Sequence, residues 1–289
     1  MVVDPLVFAL VLLAAVMRAA WNAMVKAGED RLMRQTFVIL APAVFAVPAL
    51  FFLPPLAPGA WPWLIASTVI HCGYYVTLLG AYRHGDLSKV YPIARGSAPG
   101  LVAIGAWVIA HEAVSAIELV ALAILSAGLM ALAWRPRGQV AKPGDGRAVV
   151  FALLTGLTIA AYSIADGQGV RAAGGGDARF SYIAWLFAID SLPLVAFTWW
   201  KRRKHLVIRR QDALYGLLGG WISAAAYGIV IWAMSVAPMT HVVALRETSV
   251  LFAALIGTRL LKEPFGNRRL AAAGVIVAGA ALLQVSRGL

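Results

Sequence analysis

Apolar and polar residues follow one another along this chain in long blocks rather than in short alternations. Ten predominantly apolar stretches of about 20 residues, the length that crosses the hydrocarbon core of a bilayer as a helix, are separated by short polar segments. They cover residues 5–26, 35–54, 61–82, 88–110, 115–134, 148–170, 180–200, 213–236, 240–261 and 268–286. The pattern predicts an all-α integral membrane protein with ten transmembrane helices.

Composition agrees with this prediction. Of the 289 residues, 61% are hydrophobic and only 13% are charged, which is more apolar surface than one soluble core can bury. The net charge of +12 would suit nucleic acid in a soluble protein, but 19 of the 25 Lys and Arg residues follow odd-numbered stretches. Such a bias marks cytoplasmic loops. We therefore expect no nucleic-acid partner, a place among the lipids of the cytoplasmic membrane, and both termini on the extracytoplasmic side.

The chain contains an internal repeat. A constant shift of 151 residues, without gaps, aligns Ser88–Glu112 with Met239–Glu263 and puts Arg95 on Arg246. The predicted units are residues 1–134, a basic Pro/Gly-rich linker at 135–147, and residues 148–289. Because each unit has five helices, an odd number, the two units must cross the membrane in opposite senses. The fold prediction is therefore two inverted five-helix repeats.

Three arginines lie well inside apolar stretches, away from their ends: Arg18, Arg95 and Arg246. A charged side chain at that depth costs about 3 kcal/mol or more, so it normally faces a polar interior. Arg95 and Arg246 each lie about seven residues inside a stretch, roughly 10 Å deep at 1.5 Å per residue. Since the repeats are inverted, we expect both to meet near the midplane, where guanidinium groups would bind a carboxylate, phosphoryl or phosphonyl group.

Aromatic and small polar side chains are expected to complete this substrate pocket. They are Trp21, Asn22, Tyr75, Tyr91, Tyr162 and Thr248. An alternative explanation is structural: Arg95 and Arg246 would be neutralised by Asp190, Glu247 or helix-end carbonyl groups.

Four further groups inside the stretches could titrate: His71, Asp166, Asp190 and Glu247. Inverted repeats are typical of membrane carriers. A carrier without a nucleotide motif needs an ion gradient or simple exchange, so protons are a candidate coupling ion, with Asp190 or Glu247 as the favoured site. Alternatively, these carboxylates neutralise an arginine such as Arg18. His71 either lines a cavity or is a hydrogen-bonded packing residue.

Small residues predict where helices approach closely. Gly96, Gly100 and Gly105 fall in the fourth stretch, and Gly274 and Ala278 form a small surface in the tenth. We expect a monomer, or a homodimer that packs through such helices.

Several strings resemble the drug/metabolite transporter superfamily, in its branch of ten-helix EamA-type proteins. They are AWNAMVK, AYRHGDLSKVYPIARGSAP, AYSIADGQGVR, ALRETSVLFAALIG and LLKEPFGNRRLAAAGVIVAG, and together they span both repeats. The resemblance implies a secondary carrier of a small metabolite, such as an amino acid or another organic acid. The first stretch lacks the membrane Glu of small proton-coupled drug exporters, and Arg18 stands where similar sequences have His.

Two other functions stay open at this point: export of organic cations, and modification of lipid headgroups by a membrane enzyme. The sequence has no metal-ligand cluster, nucleophile elbow or nucleotide-binding loop. We therefore expect a transporter without a cofactor or a metal, and not an enzyme.

Overall fold

The computed structural model describes residues 4–26, 30–85, 87–133, 145–203, 208–253, 255 and 267–286. These residues contain ten α-helices and no strand. The helices are α1 (Pro5–Lys26), α2 (Arg31–Ala49), α3 (Trp61–His84), α4 (Leu87–Ile109), α5 (Ala116–Ala131), α6 (Asp145–Ala173), α7 (Ala178–Arg202), α8 (Arg210–Val236), α9 (Met239–Glu247) and α10 (Asn267–Val285). After a turn at Thr248 the chain is helical again over residues 249–253.

Each predicted stretch corresponds to one of these helices. Within the described residues, seven helices (α1–α4 and α6–α8) are long and apolar enough to cross a membrane, whereas α5 and α10 are shorter apolar helices. Large apolar side chains cover the outside of the bundle, among them Phe51, Phe52, Trp107, Trp199 and Trp200. An apolar exterior of this extent is typical of a surface that faces lipid. Most of the predicted linker and the later part of the ninth stretch, with Glu263, lie outside the described residues.

Ion pairs identify the two ends of the bundle. At the end that we call the basic end, Arg34 near the start of α2 pairs with Asp212 near the start of α8, and it also donates to the carbonyl of Met24 near the end of α1. At the opposite end, Arg171 near the end of α6 pairs with Glu112, which follows α4. Successive helices therefore run in alternating directions between the two ends.

The start of α9 is fixed by side chains from other elements. The carboxylate of Glu112 accepts hydrogen bonds from the backbone N–H of Met239 at 3.1 and 3.2 Å. His241, two residues further along, lies 2.7 Å from the carboxylate of Glu118, a residue of the capping box that starts α5. Because the first N–H groups of a helix have no partner within it, Glu112 caps the start of α9, and the side-chain contact of His241 with Glu118 fixes the same turn against α5.

Glycine contacts show where helices approach most closely. A methyl group at Gly156 in α6 would meet the side chain of Ser97 and lie 2.8 Å from the carbonyl oxygen of Ala94, both in α4. Gly96 and Gly105 also lie against neighbouring helices, as predicted. For Gly100 and Gly274, no described atom outside their own helix neighbourhood lies within 4 Å of a methyl group placed there, so close packing at these two positions stays a prediction.

Candidate functional site

Arg95 and Arg246 meet at one carboxylate in the interior of the bundle. Arg95 Nη1 lies 3.4 Å from Oε1 of Glu247, and Nε and Nη2 of Arg246 each lie 3.1 Å from the same oxygen. The Arg95 side chain is 5% exposed, that of Arg246 is 1% exposed and that of Glu247 is 0% exposed. Two buried guanidinium groups therefore share a single carboxylate oxygen.

The α4 and α9 helices explain this meeting. Arg95 follows the start of α4 by eight residues and Arg246 follows the start of α9 by seven, which is roughly 10 to 12 Å along a helix. The α4 helix starts at the basic end and α9 starts at the opposite end, so the two side chains reach the same layer from opposite directions. We call Arg18, Arg95, Arg246 and Glu247 the arginine cluster.

Three atoms of the arginine cluster have no hydrogen-bond partner among the described residues. They are Nη1 of Arg246, Oε2 of Glu247 and Nε of Arg18, all buried from solvent. Arg18 in α1 lies close enough to interact electrostatically with Glu247. A buried polar atom without a partner costs about 1–3 kcal/mol, and more when it is charged. The cluster thus keeps two donors and one acceptor available inside a closed interior.

Aromatic rings surround the guanidinium groups. The Arg95 guanidinium carbon lies 5.3 Å from the ring centroid of Tyr91, and that of Arg246 lies 5.9 Å from the centroid of Tyr162. Tyr74 contacts Tyr162 edge to face, with 5.9 Å between the centroids. Cation–π contacts of this kind hold a guanidinium in place while leaving its N–H edges free to donate.

A second polar group of residues lies beside the first. Asp166 is completely buried and accepts hydrogen bonds from the hydroxyl groups of Tyr182, at 3.1 Å, and of Tyr227. His71 Nδ1 lies 3.7 Å from Oδ1 of Asp190 and 3.0 Å from the carbonyl oxygen of Ser67. We call His71, Asp166 and Asp190 the acidic cluster.

Tyr162 contacts both clusters. Its ring stacks on His71 with 4.2 Å between the centroids, and it is the same ring over which Arg246 lies. The interior therefore has a cationic side and an acidic side that share one aromatic wall. Within the described residues, no three His, Cys, Asp or Glu side chains converge as metal ligands would.

The remaining predicted pocket residues divide into two groups. Tyr75 lies edge to face against Tyr74, at 5.5 Å. Trp21 instead packs beside Gly219 of α8, the Asn22 amide donates to the carbonyl of Arg18 at 2.7 Å, and the Thr248 hydroxyl donates to the carbonyl of Leu245 at 2.6 Å. The polar groups of Asn22 and Thr248 are thus bonded to their own helices.

Four residues that contact the two clusters or their aromatic rings are not among the predicted site residues. Ser163 Oγ accepts from Nη2 of Arg246 at 3.3 Å, Tyr74 contacts the Tyr162 ring, and Tyr182 and Tyr227 bind Asp166. Two of them could have been found from their nearness to predicted site residues, since Ser163 directly follows Tyr162 and Tyr74 lies one turn after His71. For Tyr182 and Tyr227 the sequence offers no local signal.

Comparisons with known proteins agree with the fold. Residues 146–285 match the model of the EamA-like transporter family. Among solved structures, 29 chains match, and one of them, titled "Crystal structure of protein", has a TM-score of 0.73 and 15% sequence identity over 96% of this chain and 94% of that chain. No curated protein matches the chain. The resemblance seen in the sequence is thereby confirmed: residues 146–285 belong to the EamA-like transporter family of the drug/metabolite transporter superfamily, and the chain is a multi-pass membrane protein.

Proposed function

We propose that this protein is a secondary transporter that moves a small anionic or zwitterionic metabolite across the cytoplasmic membrane by alternating access. One observation carries the proposal: two buried arginines share a single carboxylate oxygen, and charged atoms of the arginine cluster have no hydrogen-bond partner among the described residues. A purely structural ion pair would use those atoms, because an uncompensated buried charge is strongly destabilising.

The charge balance favours an anionic group on the substrate. Arg18, Arg95 and Arg246 face one carboxylate, that of Glu247, so the arginine cluster has an excess of positive charge. A carboxylate, phosphoryl or phosphonyl group would accept hydrogen bonds from the free donors of Arg246 and Arg18. The free Oε2 of Glu247 would accept from a donor such as an ammonium group, so a zwitterion would use all three atoms.

The positions of corresponding residues and helices support two inverted repeats, the arrangement on which alternating access depends. With the shift of 151 residues, Arg95 of α4 corresponds to Arg246 of α9, and the two side chains meet at Glu247. The α3 helix packs along α6, and the α1 helix packs along α8. Exchanging the two halves replaces α3 by α8 and α6 by α1, so it converts the first contact into the second. Alternating access follows from such symmetry, because rocking one repeat against the other exposes a central site to each side in turn.

A thermal-shift screen tests the proposal. Small anionic and zwitterionic metabolites would be screened against the wild type, Arg95→Lys, Arg246→Lys and a control, Arg83→Lys, which alters an exposed arginine at the end of α3. We expect a ligand that stabilises the wild type and the control but not the two cluster variants, since lysine cannot reproduce the paired hydrogen bonds of a guanidinium. Low yield of both cluster variants without loss of ligand stabilisation would instead support the structural role.

Export of organic cations is the second candidate, and the acidic cluster favours it. The Asp190 side chain is 21% exposed, and aromatic residues lie around the cluster. Stabilisation of the wild type only by organic cations, undiminished in Arg95→Lys and Arg246→Lys, would replace our proposal with this one. Saturable uptake of the ligand into liposomes separates both candidates from a lipid-modifying enzyme, which would consume lipid without moving solute.

A further inference from the structure

Two contacts at opposite ends of the bundle join positions that correspond when the shift of 151 residues, found for residues 88–112, is extended to the earlier helices of each half. At the basic end, Arg34 of α2 pairs with Asp212 of α8. At the opposite end, Trp185 of α7 packs against Trp61 of α3. Adding the repeat shift of 151 to 34 gives 185, and adding it to 61 gives 212. The exchange of halves therefore converts one contact into the other.

The two contacts differ in chemistry. Nε and Nη2 of Arg34 donate to one carboxylate oxygen of Asp212 at 3.0 and 2.7 Å, with side chains only 7% and 4% exposed. The guanidinium also lies 5.4 Å from the ring centroid of Tyr215. The two indoles at the opposite end lie 5.0 Å apart at 58° and form no hydrogen bond to each other. One contact is thus a buried ion pair, and its counterpart is an aromatic pair.

Two further contacts, one at each end, are related by almost the same shift of 151 residues. At the basic end, Arg202 pairs with Asp30 at 3.1 Å. At the opposite end, the hydroxyl of Ser181 donates to the carbonyl oxygen of Pro54 at 2.7 Å. Asp30 and Ser181 are 151 residues apart, whereas Pro54 lies three residues from the counterpart of Arg202. At each end, then, a second contact joins the two halves, and at the opposite end the Arg171–Glu112 ion pair joins them as well.

We infer that Arg34–Asp212 and Trp61–Trp185 are the two gates of the transporter, one at each end. This inference rests on the alternating access of the proposed function. Opening the basic end separates α2 from α8 and breaks the ion pair, whereas opening the opposite end separates α3 from α7 and parts the indoles. Both gates are in contact in this structure.

The difference in chemistry makes the gates unequal. Separating Arg34 from Asp212 leaves buried charges without a partner. Separating the two indoles leaves no charge uncompensated and breaks no hydrogen bond between them. The opposite end also has an ion pair between the halves, Arg171–Glu112, but its side chains are more exposed, 29% and 12% against 7% and 4%, so separating them costs less than separating Arg34 from Asp212. The basic end is therefore the harder end to open. It follows that, without substrate, the protein opens preferentially at the end of Trp61 and Trp185.

Spin-label distances at the two ends test this inference. In a Cys72→Ala background, labels at Gln35→Cys and Gln211→Cys report the separation of α2 and α8, and labels at Ile65→Cys and Phe180→Cys report that of α3 and α7. Distances would be measured by pulsed electron paramagnetic resonance in lipid nanodiscs. We expect Asp212→Asn to add a longer distance between the first two labels and to shorten or leave unchanged the second distance. Trp185→Ala should have the reverse effect.

Control variants keep the result interpretable if Asp212→Asn folds poorly. The charge exchange Arg34→Asp with Asp212→Arg should restore the wild-type distances, and Trp185→Phe should retain the short distance between α3 and α7. Unchanged distances in folded Asp212→Asn and Trp185→Ala, or widening of both ends together, would refute the gates. Reciprocal distance changes without transport of any anionic or zwitterionic ligand would leave the gates in place and refute the proposed substrate instead.

Discussion

His71 and Tyr162 lie nearly parallel, with 4.2 Å between the ring centroids and 19° between the ring planes. His71 belongs to α3 in the first half and Tyr162 to α6 in the second half. Because Arg246 lies over the Tyr162 ring as well, this stacked pair connects the arginine cluster to the acidic cluster. A ligand that moves the tyrosine ring changes the surroundings of His71 at the same time.

Replacing Tyr162 by Ala should weaken binding of the ligand found in the thermal-shift screen by roughly 5- to 100-fold. The change removes the stacking on His71 and the cation–π contact to Arg246, which together are worth about 1–3 kcal/mol. Tyr162→Phe keeps the ring and should bind within about twofold of the wild type. Isothermal titration calorimetry on the three proteins gives the dissociation constants. Equal losses in the Ala and Phe variants would show that the hydroxyl, not the ring, is used.

Replacing Asp190 by Asn should abolish accumulation driven by a pH gradient but leave exchange of labelled for unlabelled substrate. Asp166 is bound by two tyrosine hydroxyl groups and Glu247 by two arginines, whereas the contact of Asp190 with His71 is longer, at 3.7 Å, and the Asp190 side chain is 21% exposed. It is therefore the carboxylate best able to exchange a proton.

Uptake into liposomes with and without an imposed pH gradient measures this coupling. Asp177→Asn is the matched control, because Asp177 is exposed before the start of α7 and its side chain caps no helix. Wild-type uptake that ignores the pH gradient would rule out proton coupling altogether. Coupling that survives in Asp190→Asn would rule out this residue alone.

Replacing Gly156 by Ala should destabilise the protein by about 1–3 kcal/mol, the usual cost of overpacking. The new methyl group would meet Ser97 and the carbonyl oxygen of Ala94, and backbone cannot yield as a side chain can. Gly100→Ala is the control, since its methyl group meets no described atom and the change favours the helix by up to about 1 kcal/mol. Melting followed by tryptophan fluorescence in detergent should therefore shift downwards for Gly156→Ala only. A similar loss in both variants would contradict the close approach of α4 and α6.

Both termini should lie outside the cytoplasm. The reason is the concentration of 19 of 25 Lys and Arg residues in the segments after odd-numbered helices. A C-terminal fusion to paired reporters, one active only in the cytoplasm and the other only outside it, measures the orientation. Activity of the cytoplasmic reporter alone would reverse the assignment and place the Arg34–Asp212 gate on the outer face.

The sequence predicted the helices and the meeting of Arg95 and Arg246 because both depend on local or repeated patterns. Apolar length defines each helix, and the shift of 151 residues relates the two arginines. Other contacts depend on helix packing between distant segments, and no local pattern predicts them. They include the contact of Arg34 with Asp212 and those of Asp166 with its tyrosines. The glycines show the same limit, since Gly96 lies against α5 and Gly100 meets no described atom, although both have the spacing of a packing face.

Arg171 and Glu112 also bear on how the protein is assembled during synthesis. Arg171 donates to the carbonyl oxygens of Met234 and Ala237 at the end of α8, and Glu112 accepts from the N–H of Met239 at the start of α9. When the first five helices leave the ribosome, the Glu112 carboxylate has none of these partners, and Arg171 gains its carbonyl partners only when α8 is complete. The first half therefore enters the bilayer with the Glu112 carboxylate unpaired, and its hydrogen bonds are complete only after the α8–α9 turn has been synthesised.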